Sequence, residues 1–167
     1  MKTKLIAFFS IALLILCTGC PYKATHRLTG NIINYDKDLI GKWKAETVEI
    51  RISEIDDQKF KYFYSDSDDD LGFDTHSGEG YTITNNGTAY IIAEVLYAAT
   101  EQEKAQTKYI TYRIEKMEKN TVTITPLEEA AALPYVKTFK TTADFTKFVT
   151  TNPAAFTNTD AKVFKRQ

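Results

Sequence analysis

An acidic run in the middle of the chain holds its densest set of potential metal ligands. Asp66, Asp68 and Asp70 have the spacing of the first three ligands in an EF-hand calcium loop. The rest departs from that pattern, because Leu71 stands where the loop needs glycine and Ser77 where it needs a bidentate glutamate. We therefore interpret the run as a solvated loop between strands, opened by repulsion between its carboxylates, and keep the three aspartates as the candidate metal ligands.

The two histidines, His26 and His76, are the next residues that could do chemistry. A catalytic zinc needs three protein ligands and an open position, which His76 could complete only if a loop brought Asp74 and Glu79 to it. Ser77 follows His76, but adjacency in sequence does not align a nucleophile with a base, and no Gly-x-Ser-x-Gly motif is present. We predict a histidine on an exposed loop, no catalytic residues and no cofactor.

Both cysteines of the chain lie near its N-terminus, at Cys17 and Cys20. Lys2 and Lys4 precede an apolar run of 13 residues that begins at Leu5. A signal-peptide core has about 7–15 apolar residues, whereas a membrane-spanning helix needs about 20. The run therefore predicts a cleaved signal peptide over residues 1–19.

The sequence Leu-Cys-Thr-Gly-Cys at positions 16–20 resembles the lipobox of bacterial lipoproteins, with Cys17 in place of the usual leucine. The resemblance implies cleavage after Gly19 and a diacylglycerol on Cys20, followed by N-acylation. Two or three acyl chains anchor a protein stably, since each buried methylene contributes about 0.8 kcal/mol. Pro21, rather than aspartate, after the cysteine implies the periplasmic face of the outer membrane, with the outer leaflet of the inner membrane as the alternative. An ordinary secretory signal and an uncleaved anchor helix remain alternatives.

The length and composition of the expected mature chain of 148 residues restrict how it is stabilised and what it can bind. A domain of that size buries about 68–70% of its surface on folding, so it needs no disulfide, and none can form once both cysteines are used. Without the two leader lysines the chain has 19 basic and 22 acidic residues, a net charge of −3. This balance gives no basic surface for nucleic acid, and we predict no nucleic-acid partner.

The chain divides into the signal peptide, a lipidated cysteine with a flexible polar tether over 20–38, and one β-rich domain over 39–167. From residue 39 onward, apolar and polar residues alternate, with many of the threonine, tyrosine and β-branched residues that favour strands. The predicted strands are Ile40–Ser53 (with a bulge near Glu46–Thr47), Lys59–Ser65, Gly80–Asn85, Thr88–Ala98, Lys108–Met117, Thr121–Pro126, Tyr135–Lys140 and 161–166.

Local signals fix two hairpins and one helix within this pattern. Asn86-Gly87 predicts a tight turn between two alternating runs, and Glu118-Lys-Asn120 predicts a second hairpin. Thr141 and Asp144 resemble a capping box, and the apolar residues after them have helical spacing up to Asn152-Pro153. Sequential hairpins favour an antiparallel meander that must close or cover its edges. We therefore predict a mostly β fold, a small barrel or strongly curled sheet with one C-terminal helix.

Gly41-Lys42-Trp43, at the start of the first strand, is similar to the Gly-x-Trp motif that opens the lipocalin barrel. That family also places a helix and a final strand after its barrel, with an arginine near the tryptophan, and Arg166 has a corresponding position. The family's Thr-Asp-Tyr signature is absent, and the eight predicted strands are one fewer than usual. The resemblance implies a lipocalin-like barrel in which Gly41, Trp43 and Arg166 are structural residues that close one end.

These observations favour a non-catalytic protein of the cell envelope. The first hypothesis is an accessory lipoprotein that docks onto an envelope protein through a sheet edge or an aromatic face. The alternative is a lipocalin-like carrier of a small apolar ligand, and a third hypothesis, an enzyme, would require a cleft joining His76 to several carboxylates. The alternating stripe Phe60, Tyr62 and Tyr64 predicts core, or the lining of a pocket. A filled sheet interior would favour the accessory protein, and an open apolar cavity the carrier.

Overall fold

The computed structural model describes residues 21–67, 74–98, 104–156 and 161–167. Within these ranges the chain is mostly β, and its strands form one antiparallel sheet. The strands are β1 (Lys23–Ala24), β2 (Asn31–Ile33), β3 (Gly41–Ala45), β4 (Val48–Glu54), β5 (Lys59–Asp66), β6 (Asp74–Asn85), β7 (Thr88–Tyr97), β8 (Gln106–Glu118), β9 (Thr121–Pro126) and β10 (Lys162–Arg166).

Eight strands, β3 to β10, form a closed antiparallel barrel, as the sequence predicted. Strands β3 to β9 are a meander, and β10 lies between β9 and β3 and closes the ring. The two predicted hairpins are present. Asn86 and Gly87 both have positive φ, the requirement of the two-residue turn that matches the twist of a hairpin. Closure pairs each of these eight strands on both sides over part of its length, which is how a small all-β domain avoids edge-to-edge association.

The predicted bulge at Glu46–Thr47 is wrong, because these residues form a two-residue hairpin turn. Ala45 pairs with Val48, so the predicted first strand is two antiparallel strands, and Glu46 takes a φ of 52°. A bulge and a two-residue turn both change which residues face inward. The turn contains no glycine, asparagine or proline, so alternation alone could not separate the two possibilities.

The predicted strand at Tyr135–Lys140 is also wrong, since a 3₁₀ helix covers Leu133–Thr138. Pro134 occupies its first turn, where the fixed φ of proline suits a helix start. The 3₁₀ helix follows a short α-helix, α1 (Glu129–Ala132). All six residues of the 3₁₀ helix are exposed. Within the described ranges no strand pairs with this segment, so its tyrosine and valine do not form a strand despite their β propensity.

The predicted C-terminal helix is confirmed as α2 (Thr142–Thr151). Its capping box is complete, because Thr141 accepts a hydrogen bond from the Asp144 amide and the Asp144 carboxylate accepts one from the Thr141 amide. The apolar face of α2 packs on the outer wall of the barrel and forms a core outside it. Each fully buried phenylalanine stabilises this packing by about 1.5–3 kcal/mol. The main members of this outer core are Tyr81, Ile83, Tyr90, Ile92, Phe145, Phe148 and Val149.

Residues 21–38 do not form the predicted flexible tether, because they pack along the barrel. β1 pairs with the part of β8 that β9 does not reach, and β2 pairs with the part of β6 that β5 does not reach. Ala24, Leu28 and Tyr35 are buried. This segment has no periodic pattern, because single apolar residues, spaced irregularly, fill gaps left by strands of unequal length. Among the described residues, no helix is both long and apolar enough to cross a bilayer.

Candidate functional site

The interior of the barrel is packed by its own side chains. Phe60 and Tyr62 point inward, as the alternating stripe predicted, whereas Phe63 faces outward and is exposed. Gly80 makes room for Phe60, since a Cβ there would lie 2.4 Å from the Phe60 ring. The remaining apolar cavity has a volume of about 50 Å³. This is far below the roughly 300–1,000 Å³ of ordinary small-molecule pockets.

A wider recess of about 360 Å³, here named the mouth recess, lies next to this cavity at one end of the barrel. Tyr64, His76 and Tyr112 line both the recess and the apolar cavity beneath it. The His76 ring stacks on Tyr64 at 4.4 Å between centroids and meets Tyr62 edge-on at 5.8 Å. Among the described residues, the recess is lined by Pro21, Tyr22, Lys23, Tyr64, His76, Lys108, Ile110, Tyr112 and Glu129.

The rim of the mouth recess carries two lysines. Pairing of Lys23 with Ile110 fixes β1 beside β8, which brings Lys23 close to Lys108. Both ammonium groups lie over the ring of Tyr97, at 5.7 Å and 5.1 Å from its centroid. Stacked cation–aromatic contacts of this kind hold charged groups in place on an exposed surface. Glu129 is the one carboxylate that lines the recess among the described residues.

Burial changes the acidity of two tyrosines at this end. Burial first, and then the phenols of Tyr112 and Tyr97, raise the pKa of Tyr62 well above its ordinary value. Its hydroxyl donates a hydrogen bond to the Glu94 carbonyl at 3.1 Å. The pKa of Tyr22 is also raised, by burial and then by Glu129. Both phenols are therefore neutral hydrogen-bonding groups at neutral pH.

His76 lies on strand β6 and not on the loop that the sequence predicted. Residues alternate across a strand, so His76 points toward the interior while Ser77 and Glu79 face outward. Glu79 pairs with Lys59 at 3.2 Å on that outer face. Neither a serine–histidine pair nor a zinc set containing Glu79 is compatible with these positions. The first half of β6 has polar residues and a glycine and therefore lacks a strand pattern, so the strand begins at residue 74 instead of the predicted residue 80.

The candidate metal ligands fall partly outside the described residues, where Asp68 and Asp70 lie. Asp66 is the last residue of β5, and its carboxylate accepts hydrogen bonds from Thr47 at 2.7 Å and Tyr64 at 3.3 Å. Across the four described ranges, no group of three or more histidine, cysteine, aspartate or glutamate side chains could hold a metal ion. Cys20, the expected lipidation site, also lies outside these ranges.

The residues of the lipocalin resemblance meet at the opposite end of the barrel. The Arg166 guanidinium lies over the Trp43 ring at 4.8 Å and donates to the carbonyl oxygens of Ile40, at 3.0 Å, and Asp38. The Trp43 indole donates to the Leu39 carbonyl at 2.8 Å. These bonds close that end and serve a structural purpose.

Comparisons of the chain with protein-family models, with curated proteins and with solved structures find no match. The recess must therefore be interpreted from its own residues. Sequence reasoning identified Tyr64 as part of a stripe but missed Tyr112, Lys23 and Lys108. Tyr112 follows the alternation of its strand and could have been found as inward-facing. Lys23 carried no signal, because it lies in the segment predicted to be a tether.

Proposed function

We propose that this protein is a non-catalytic, lipid-anchored accessory protein of the cell envelope that binds a partner protein at the mouth recess. The observation that carries the proposal is the packed interior, with about 50 Å³ of apolar space below a recess of about 360 Å³. A ligand carrier needs an enclosed apolar volume, whereas a docking surface needs a recess open to a partner. The geometry supports the second requirement.

The lining of the recess specifies the kind of segment it fits. Tyr64, His76 and Tyr112 provide aromatic faces, and aromatic residues dominate the energetic centres of protein interfaces. Among the described residues that line the recess, Lys23 and Lys108 place two positive charges at the rim, and Glu129 is the one carboxylate. The complementary partner is an envelope protein that presents an apolar side chain next to acidic groups. Charge of this kind contributes to the rate and specificity of association.

Photocrosslinking in cells tests this proposal. A photoreactive phenylalanine analogue replaces Tyr112 in the mouth recess, and in a control replaces Val163, which is 50% exposed on β10. We expect position 112 to yield one recurrent protein adduct that position 163 does not. Lys108→Glu should abolish that adduct, while Lys44→Glu, a charge reversal on an exposed residue of β3, should leave it intact. An adduct insensitive to Lys108→Glu, or none at position 112, would contradict docking at the recess.

The lipid anchor is a separate part of the proposal and has its own test. The lipobox-like segment that ends at Cys20 supports a thioether-linked diacylglycerol and an outer-membrane position, with the inner membrane as the alternative. Mass spectrometry of the protein from native membranes should show a chain that begins at Cys20 and carries acyl groups. An intact leader or an unmodified thiol at that residue would remove the anchor from the proposal without affecting the recess.

The carrier of a small apolar ligand is the second candidate, favoured by the barrel fold and by the opening above the cavity. A fluorescent fatty acid titrated against the purified protein separates it from the first. We expect no saturable binding, because the acyl chain of a fatty acid cannot fit the apolar cavity of about 50 Å³ inside the barrel. Saturable one-to-one binding that Ala93→Phe removes by filling the cavity would support the carrier instead.

A further inference from the structure

The 3₁₀ helix Leu133–Thr138, here named the exposed turn, places apolar side chains in solvent. Leu133, Tyr135 and Val136 are three of the eight large apolar residues exposed in the described part of the chain, and they lie within four positions. Pro134 between them is exposed as well. Isolated exposed apolar residues are ordinary, but a contiguous group marks a surface that contacts something apolar.

The exposed turn is backed by a rigid aromatic cluster and is therefore a preformed surface. The Tyr135 ring packs on Phe148 at 4.9 Å, and Phe148 packs on Phe139 at 5.1 Å. Phe139 in turn lies 5.4 Å from Phe145 in α2. Side chains held in this way lose little conformational freedom when they bind, which lowers the cost of contact.

The exposed turn lies beside the first described residue of the mature chain. Pro21 forms a β-bridge with Glu128, and the Tyr22 amide donates to the Leu127 carbonyl at 2.7 Å. The Tyr22 ring also contacts the cluster behind the turn, 6.3 Å from Phe139. Helix α1 then runs from this bridge to Leu133, a rise of about 8 Å.

The closeness of Pro21 to the exposed turn determines which part of the domain a lipid on Cys20 would hold at the bilayer. Cys20 is bonded to Pro21, and Pro21 is fixed to the barrel, so the flexible spacer predicted from the sequence is absent between them. A lipid on that residue would bring the bilayer surface to the part of the domain that carries the exposed turn. Once the chain is anchored, even a weak contact forms readily, because it is intramolecular in effect.

The composition of the exposed turn suits a lipid interface. Leucine, valine and tyrosine partition into the boundary between headgroups and acyl chains, where tyrosine keeps its hydroxyl in water. Lys137, within the turn, and Lys140, two residues after its end, are exposed, and lysines next to apolar residues favour anionic headgroups. A protein partner would equally cover apolar groups, but the adjacent attachment point and the flanking lysines favour the bilayer.

We propose that the exposed turn is a membrane-contact surface, inserted into the interface of the bilayer that holds the lipid on Cys20. The inference rests on the proposed lipid anchor and adds a fixed orientation of the domain. In that orientation Leu133, Tyr135 and Val136 enter the lipid, and the barrel wall formed by β10 faces away from it. β10 lies directly across the eight-stranded ring from β6, against which α2 packs.

A single fluorescent probe on the acylated protein tests this orientation. Mature protein with the lipid on Cys20 has no free thiol, so Leu133→Cys and Val163→Cys can each be labelled uniquely with an environment-sensitive dye. The two positions are matched, because their side chains are 53% and 50% exposed. The labelled proteins are reconstituted in vesicles of phosphatidylethanolamine and phosphatidylglycerol, with and without nitroxide-bearing lipid.

We expect the dye at position 133 to gain about twofold or more in emission, to shift to the blue, and to be quenched by the nitroxide lipid. The dye at position 163 should do none of these. Equal quenching at both positions, or quenching at neither, overturns the proposal. Shielding of position 133 in native membranes without quenching in vesicles also overturns it, in favour of a protein partner.

The unsubstituted protein separates failure of the contact from failure of the anchor. If it takes up dye, Cys20 carries a free thiol, and the anchor and the contact proposal both fall. If it takes up no dye and position 133 stays in water, only the contact proposal falls. Because Leu133 is exposed, its replacement leaves the fold intact, and circular dichroism of each labelled protein verifies this.

Discussion

The two ends of the barrel are built from similar residues and are finished in opposite ways. At the closed end, Trp43 and Arg166 donate hydrogen bonds to backbone carbonyls, and the Arg166 guanidinium stacks on the Trp43 ring. At the mouth, Tyr64 and Tyr112 line a recess and leave part of their surface in contact with solvent. The two ends therefore differ in whether other parts of the chain cover their aromatic residues.

The N-terminal segment produces this difference. Its 3₁₀ helix Lys37–Leu39 covers the closed end with buried Leu39, and Tyr35 packs edge-on against Phe60 at 5.5 Å. At the mouth the same segment only runs along the rim, where Pro21 and Lys23 form a wall and not a lid. One end is thus sealed by local chain, and the other stays open as the mouth recess.

The largest expected effect comes from removing the aromatic residue of the closed end. Trp43 is 2% exposed, and Trp43→Ala should lower the free energy of unfolding by about 3–5 kcal/mol, from lost burial and a cavity. Tyr112→Ala at the mouth should cost clearly less, because its side chain is only partly buried. Urea denaturation of both variants measures this. Equal losses would show that the two ends are packed alike and would remove the contrast.

The next largest effect tests the hydrogen bonds of the closed end. Arg166→Met keeps an apolar stem but removes the donors to Ile40 and Asp38 and the stacking on Trp43. We expect a loss of about 2–3 kcal/mol in the free energy of unfolding, since hydrogen bonds to charged donors are the strong ones. Lys165→Met, an exposed neighbour, should change it by less than about 0.5 kcal/mol. A similar loss in both variants would show that the contacts of Arg166 do not stabilise the closed end.

The fold could be predicted from the sequence because its signals are local and independent. Asn86-Gly87 and the Thr141–Asp144 capping box are each encoded within a few residues, and alternation identified most barrel strands. Two errors in the prediction cancel, so the number of predicted strands equals the eight strands of the barrel. The turn at Glu46–Thr47 divided one predicted strand into two, and the predicted strand at Tyr135–Lys140 is a 3₁₀ helix.

The mouth recess could not be predicted, because it depends on contacts between distant parts of the chain. Lys23 and Lys108 reach the same Tyr97 ring only because β8 extends past β9 and leaves an edge for β1. The sequence predicts a loop at His76 because the polar start of β6 carries little apolar signal. Strand length and unequal pairing are properties of the closed sheet, and no local pattern of residues contains them.

A smaller effect should come from the glycine that opens the first barrel strand. Gly41 has a φ of 141°, and a Cβ there would lie 3.2 Å from the Arg166 guanidinium. Gly41→Ala should therefore cost about 1–2 kcal/mol, from backbone strain and crowding together. Gly87→Ala, at a φ of 78° with open space around it, isolates the strain and should cost about 1 kcal/mol or less. If thermal or urea unfolding shows the reverse order, the closed end is not tightly packed around Arg166.

The smallest effect concerns how far the open end lets water into the barrel. Burial first, then Tyr112 and Tyr97, raise the pKa of Tyr62, which lies below His76 at the mouth. In the unfolded chain this phenol loses its proton near the ordinary value of about 10. Above that pH the unfolded state binds fewer protons than the folded state, so stability falls as pH rises.

Tyr62→Phe should therefore make the fall in stability above about pH 10 shallower, measured as urea midpoints across alkaline pH. Tyr81, on the outer wall, provides the matched comparison, because burial raises its pKa to about 12. Tyr81→Phe should remove its own contribution to the fall in stability between about pH 10 and 12. A Tyr62→Phe variant with the unaltered slope would mean that water already reaches Tyr62 through the mouth. The interior would then be accessible to ligands, and the balance would move from the accessory protein toward the carrier.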